Sequence, residues 1–456
     1  MTNRYLKLLA VLLLMTYTAF AGNKIGIYDL RYTLHADLNT TQGLDLAWDD
    51  VHAVSTLQGV VNRDAPRLYV YFVMEGDNDI DGYWWNKYSQ KGEWLCGRET
   101  RTYRTMEDLF TAYVPYIEGV VVYDGKVPST SNVASSVAGI ENLVAIRYDD
   151  TPGSLYDRLV LHGPKLPVKR WLLNPDGTSM FTGKTGTKIP ETERYSTGSL
   201  KNDPYVWFIE KYLKTGKCNT EFAAYYIDQY WKQRPFAAVK NHHTLSNHDF
   251  FVSKRAFFFD LSPWGDEPAT DEPSQPVGTD LNTLKEMLLL AYQQNKNEKM
   301  CYIGGFPSWA YKYTMHASGI HDDVPTEWEF SRIISAYNAF KDADAISYGA
   351  LANASFWQHF PTKKKYAQDW ISRKELQKTA DGKVNVDGRN FIIFYVGDYD
   401  ASAWISQRTP SIWDDPNRGK LPLMWCISPV LAERVPHIMH NFRTTATPND
   451  YFASAD

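Results

Sequence analysis

Cysteine is scarce in this 456-residue chain, and its four copies are scattered. Cys96, Cys218, Cys301 and Cys426 form no C-x-x-C pair, which excludes a zinc ribbon and a thioredoxin motif. Cys301 and Cys426 sit inside apolar, strand-like runs and read as buried thiols; one disulfide, with three possible connectivities, stays open. Basic residues are also in deficit, with 48 Lys and Arg against 53 Asp and Glu and no basic block. A chain of this charge is expected to have no nucleic-acid partner and no affinity for anionic membrane surfaces. No serine stands in a G-x-S-x-G elbow, which disfavours a serine esterase. Gly177 followed by Gly183-Lys184-Thr185 is a decoy for a phosphate-binding loop, because five residues intervene where the motif needs four.

Long apolar runs are lacking too, except at the start. Arg4 and Lys7 precede a leucine-rich core from Leu8 to Met15, and Ala19-Phe20-Ala21 gives the small-x-small pattern of a cleavage site. That core is too short to span a bilayer. Residues 1–21 are therefore predicted to be a signal peptide, and the mature protein to be exported, periplasmic or extracellular, with no membrane insertion after cleavage. Removing Arg4 and Lys7 shifts the formal net charge from −5 to −7.

Aromatic residues are abundant: 15 Trp, 30 Tyr and 21 Phe. Most belong in a core, but pyranose rings also stack on such side chains. Helical spacing over 49–63 is followed by strand character over 67–73. Further helix-then-strand units read as 106–113 with 119–123 and 133–138 with 143–146. This alternation predicts a layered N-terminal α/β domain over 22–245 with a mainly parallel sheet. The stretch 174–203 is polar and aperiodic, a linker or long surface loop. Aromatic helices are expected over 205–213 and 221–231. From 246 to 456 the strand candidates are 256–260, 300–304, 345–348, 391–396 and 423–427, with helices over 281–295 and 328–340 between them. Five strand–helix repeats suit a (β/α) barrel-like C-terminal domain, similar to a TIM barrel but incomplete at its C-terminus, or an open sheet. Either arrangement puts chemistry at the carboxyl ends of the strands.

Polar residues concentrate at those ends. The run FIIFYV exits into Gly397-Asp398-Tyr399-Asp400, and on an extended chain Asp398 and Asp400 share a face. Carboxylates at i and i+2 repel, which raises one pKa, as acid/base work requires. Asp260 closes FFFD, and Glu327 precedes a helical stretch; both are candidates for a second carboxylate. The plainer roles are a helix cap for Asp398, an ion pair with Arg418 for Asp400, and a helix N-terminal charge for Glu327. Trp264, Trp309, Trp404 and Trp413 are loop tryptophans that could face a sugar, with Asn353 and Arg418 as polar contacts. For each tryptophan, core packing competes. Two His/Asp clusters, His242-His243 with His248-Asp249 and His316 with His321-Asp322-Asp323, lack a strict metal spacing. No cofactor is expected, although the acidic loop 266–280 could hold a structural Ca²⁺.

At these residues the chain resembles the GxGYxYP putative glycoside hydrolase family, which has N-terminal and C-terminal parts. The resemblance rests on VHAVSTLQGVVNRDAPRLYVYF, FFFDLSPWGDEP, GGFPSWAYKYT, the stretch around Glu327-Trp328-Glu329, ANASFW, and VGDYDASAW through NRGKLPLMW. It covers nearly the whole mature chain. The family's Gly-x-Gly-Tyr-x-Tyr-Pro motif follows a segment like ATPNDYFASAD, so here it would lie beyond Asp456. The resemblance thus implies a C-terminal part that lacks its naming motif.

The expected function is an exported hydrolase acting on a poly- or oligosaccharide by carboxylate acid/base catalysis, with Asp398, Asp400, Glu327 and Asp260 as candidates. Two alternatives stand beside it: a non-catalytic carbohydrate-binding protein of the cell envelope, and a metal-dependent hydrolase or deacetylase.

Overall fold

The computed structural model describes residues 24–226, 247–305, 324–341, 353–366 and 381–454, apart from 384–387 and isolated positions within those spans. The expected signal peptide, Trp309, Asp400, the 345–348 strand, His242, His243 and the His316–Asp323 cluster lie outside the described residues.

Fifteen described strands run in chain order as β1 (Ile25–Asp29), β2 (Leu68–Tyr71), β3 (Met74–Glu75), β4 (Asn78–Asp79), β5 (Thr100–Thr102), β6 (Gly119–Tyr123), β7 (Leu143–Arg147), β8 (Val168–Trp171), β9 (Phe222–Tyr225), β10 (Phe257–Phe259), β11 (Cys301–Gly304), β12 (Ala339–Lys341), β13 (Tyr395–Tyr399), β14 (Leu423–Ile427) and β15 (Asp450–Ser454). They assemble into sheets of order β2-β1-β5, β7-β6-β8, β10-β9-β11-β12 and β13-β14-β15, plus the β3-β4 hairpin. Every pairing but the hairpin is parallel. The molecule is mixed α/β, and among the described residues these sheets do not close into a barrel.

Local sequence explains the elements nearest the candidate site. The Thr41–Val61 helix starts two turns earlier than its apolar spacing suggested, because the Thr40 hydroxyl accepts from the Gly43 amide at 3.0 Å. It stops at Asn62, whose side chain accepts from the Arg67 and Leu68 amides at 2.9 and 2.8 Å and so fixes the turn into β2. The helix crosses the His248–Ser253 helix closely. A Cβ on Gly59 would stand 2.5 Å from the Asp249 carbonyl oxygen, so only glycine fits that crossing. β6 and β7 are runs of buried β-branched and aliphatic residues, as expected of strands covered on both faces.

Two expectations fail in instructive ways. The 221–231 helix is absent at its start: Phe222–Tyr225 forms β9, hydrogen-bonded between β10 and β11. Two flanking parallel strands outweigh the helix propensity of Ala223 and Ala224. The 328–340 helix ends at Ser335, and Ala339–Lys341 pairs with β11 as an edge strand. β9 also lies before the expected boundary at 245/246 yet shares a sheet with β10 and β11, so that sheet spans the boundary. The cores do likewise. One buries Val54, Leu57 and Phe72 with Phe250 and Phe258; another buries Ile25 and Tyr69 with Trp357, Trp413 and Trp425. The 174–203 stretch carries no helix or regular strand before the Asn202–Phe208 helix begins, but it is anchored, since Phe181 and Ile189 are buried in a core cluster.

Candidate active site

A cleft of about 770 Å³ opens where β6 and β7 end, a size within the usual range for ligand sites. Carboxyl ends of parallel strands are where open α/β sheets bind ligands. Asp124 follows β6, and its peptide is clamped by the Thr130 hydroxyl, which accepts from the Asp124 amide at 3.0 Å. Arg147 ends β7, and Asp149 and Asp150 follow it. The Thr41–Val61 helix contributes the opposite wall through Asp45, Asp49 and Asp50. Asp45 and Asp49 are four residues apart, hence on one face. Six lining carboxyl groups thus meet three basic side chains, Lys126, Arg147 and Arg158.

The basic groups are largely engaged. Arg147 is buried; its Nε donates to Asp49 Oδ1 at 2.9 Å and its Nη2 to Asp49 Oδ2 at 2.7 Å. The same Nη2 lies 3.2 Å from Asp45 and 3.1 Å from Asp149. Burial opposes the guanidinium's charge, but Asp49 and Asp45 outweigh it and hold Arg147 protonated, above its ordinary pKa. Arg158 donates to Glu107 at 2.7 Å.

The carboxyls divide into unlike environments. Asp50 is 3% exposed, and burial pushes its pKa up to about 6, against the opposing hydrogen bond from Tyr32. At Asp149 burial also acts upward, but the Thr151 hydroxyl and amide, at 2.6 and 3.0 Å, together with Arg147, carry it below the usual carboxylate range. One group can hold a proton near neutrality while the other stays ionised.

The residues singled out in the sequence fall elsewhere and do not converge here. Asp260 is buried, accepting from the Tyr205 hydroxyl at 2.6 Å with Lys201 Nζ 3.9 Å away. That ammonium stands 2.8 Å from Asp271 and 2.6 Å from Asp280, so two acids of the 266–280 loop turn inward onto lysine, in the position proposed for Ca²⁺. Burial would strip the charge from Lys201, but Asp260, Asp271 and Asp280 overcompensate and hold it well above its ordinary pKa. Among the described residues no group of three or more His, Cys, Asp or Glu is arranged to hold a metal ion. Trp264 is buried and donates to Thr326 Oγ1 at 3.1 Å, beside Glu327 in the first turn of the Thr326–Ser335 helix.

Asp398 lies in β13, at the edge of a separate sheet. Asn353, expected to touch substrate, is instead 2% exposed and saturated: it accepts from Val70 N at 2.9 Å and Gln58 at 2.6 Å, and donates to Val70 O and Asp81. Trp413 likewise belongs to the core, stacked on Phe442 at 4.2 Å, with its indole N–H donating to Thr445 at 2.8 Å. Arg418 pairs with Asp450 as an internal ion pair and covers Trp413 at 4.1 Å. Trp404 is half-buried beneath the Arg408 guanidinium, 4.4 Å from its ring centre. All four cysteines are free thiols, Cys96 exposed and the others buried. No described helix is long and apolar enough to cross a membrane.

No curated protein matches the chain. Among solved structures, a protein described as a putative hydrolase from Bacteroides thetaiotaomicron VPI-5482 superposes with a TM-score of 0.55 at 15% identity. The match covers 95% of this chain and 63% of that one, so the chain spans under two thirds of that protein. At this identity the likeness is one of fold. The segment holding Asp398, Trp413, Arg418 and β13 to β15 is the part that matches a family model, that of the GxGYxYP putative glycoside hydrolase C-terminal domain, over residues 388–456.

Proposed function

We propose that the protein is an exported glycan hydrolase that cleaves glycosidic bonds with two carboxyl groups of unlike protonation. The observation that carries the chemistry is the pairing, in one cleft at strand ends, of Asp50, raised to about 6, with Asp149, held below its usual range. Asp50 then protonates the leaving oxygen, and Asp149 activates water or attacks the anomeric carbon. The family match over 388–456 supports a sugar substrate. Export rests on the basic and leucine-rich start of the chain, and a carbohydrate remains the proposed partner.

A second assignment keeps the acid and base in the matched segment, at Asp398 and Asp400, with Asp260 or Glu327 as helper. Both assignments are tested together by release of reducing ends from a panel of polysaccharides. Loss of turnover by a hundredfold or more in Asp50→Asn and Asp149→Asn, with Asp398→Asn and Asp400→Asn active, supports the cleft. The reverse pattern moves the chemistry to the matched segment. Binding without turnover by the wild-type protein on every glycan tested would make it a carbohydrate-binding protein instead.

A further inference from the structure

Asp50 is approached by a short chain of hydroxyl groups. Tyr32 Oη donates to Asp50 Oδ2 at 2.8 Å, and Tyr28 Oη lies 3.3 Å from Tyr32 Oη. Tyr32 has a single hydroxyl proton, which the carboxylate takes. The second contact therefore runs from Tyr28 to Tyr32, and the two bonds point the same way, toward Asp50. Chains of this kind polarise cooperatively.

The support beneath the chain is rigid. Tyr28 lies in β1 with its side chain buried. Tyr32 sits in the tight turn Arg31–His35, whose first residues are tied down. Arg31 binds Asp29 through Nε at 2.9 Å, bonds Asp79 at 2.8 Å, and stacks over Tyr71 at 5.0 Å. The Thr33 hydroxyl donates to Leu30 O at 2.7 Å. The Tyr32 hydroxyl is thus presented from outside the Thr41–Val61 helix that carries Asp50. The other charges acting on Asp50 are Asp49 on its own helix, Glu107 on the Met106–Tyr113 helix and Arg158 on the Asp157–Leu161 turn. Glu107 and Arg158 are paired with each other at 2.7 Å, and of the two Arg158 acts on Asp50 more strongly, toward the ionised form.

We propose that the Tyr28–Tyr32 hydroxyl chain is the positioning device of Asp50, fixing its carboxyl against the cleft and setting the pH at which it releases its proton. The proposal rests on the reading of Asp50 as the proton-holding carboxyl of the cleft. Tyr32 touches no reacting atom in this scheme; it acts through Asp50. Donation to the ionised carboxylate favours that form, so the chain keeps burial from carrying Asp50 out of the range useful for acid catalysis.

The test is a titration of ¹³C-labelled aspartate carboxyl groups in the full chain, with the Asp50 signal assigned by its loss in Asp50→Asn. In Tyr32→Phe the Asp50 midpoint should rise by about one pH unit, a tenfold gain in proton affinity. Tyr28→Phe should move it the same way by less. An unchanged midpoint in a folded Tyr32→Phe protein overturns the proposal. Should that variant fail to fold, Tyr28→Phe, whose hydroxyl does not touch Asp50, decides the question by the same criterion. The readout needs no turnover, so it stands apart from the hydrolysis assays. If Tyr32→Phe shifts the midpoint while the wild type cleaves no glycan, the hydroxyl chain survives and the catalytic reading falls.

Discussion

Arg147 meets Asp49 in a two-bond fork, Nε to Oδ1 at 2.9 Å and Nη2 to Oδ2 at 2.7 Å, with both side chains 6% exposed. The fork joins the end of β7 to the third turn of the Thr41–Val61 helix, 98 residues apart in sequence. Asp45 and Asp149 crowd the same guanidinium, so one positive charge steadies three carboxylates.

Removing that charge is expected to cost far more than a surface ion pair. Arg147→Met would leave Asp45, Asp49 and Asp149 to repel one another, and a buried pair broken on one side typically loses about 3–5 kcal/mol. The double variant Arg147→Met/Asp49→Leu should lose less than the single one, because it no longer strands the most buried acid. Urea denaturation of the three proteins tests this. Equal losses in the single and double variants would mean that the fork contributes packing rather than charge compensation.

The helix-and-strand units from 106 to 147 were legible because each is a contiguous run of one character: β6 spells GVVVY and β7 LVAIR. β14 was legible for the same reason. β9 was not, because four residues of mixed propensity become a strand only once β10 and β11 flank them. The cleft was missed because its walls are remote in sequence. Asp45 and Asp49 meet Arg147, and Asp50 joins the same cleft, only once the chain has folded. A usable signal existed in D-x-x-x-D-D within an apolar helix, opposite R-Y-D-D at a strand exit. Asn353 misled in the opposite direction: a polar residue in a loop suggested a ligand contact, but its amide completes hydrogen bonds for β2.

That role of Asn353 sets a second expectation. Its side chain satisfies both the Val70 amide and the Val70 carbonyl, and it also engages Gln58 and Asp81. Its backbone holds φ at +50°, where asparagine is tolerated better than most residues. Asn353→Ala should therefore lose about 2–4 kcal/mol through stranded buried groups. Asn353→Asp should lose at least as much, since it sets a second carboxyl beside Asp81. Thermal melts compare the two. A melting temperature unchanged by either would show that water replaces the amide without penalty.

The acid side of the stability curve should carry the mark of His52. Its Nε2 lies 2.8 Å from Ser135 Oγ and its Nδ1 3.1 Å from the Tyr123 hydroxyl; His248 Nε2 shares the same Ser135 oxygen at 3.0 Å. Ser135 donates its one proton to the Ser131 carbonyl at 3.1 Å. With that proton committed, each histidine donates from Nε2 to Ser135 and Tyr123 donates to His52 Nδ1, and burial keeps both rings neutral. Burial lowers the His52 pKa to about 3, below its unfolded value near 6.5. A lowered folded pKa gives stability that is intact above 6.5 and is lost as the pH falls toward 3. Asp50, raised to about 6, works in the opposite sense, gaining stability as the pH falls from 6 toward its unfolded value, so the total slope mixes the two. The difference between proteins isolates the histidine. Between pH 7 and pH 5 the wild type should lose about 2 kcal/mol more than His52→Gln, which cannot titrate. Parallel curves for the two proteins over that range would mean that His52 charges freely in the folded state, and that burial does not hold it neutral.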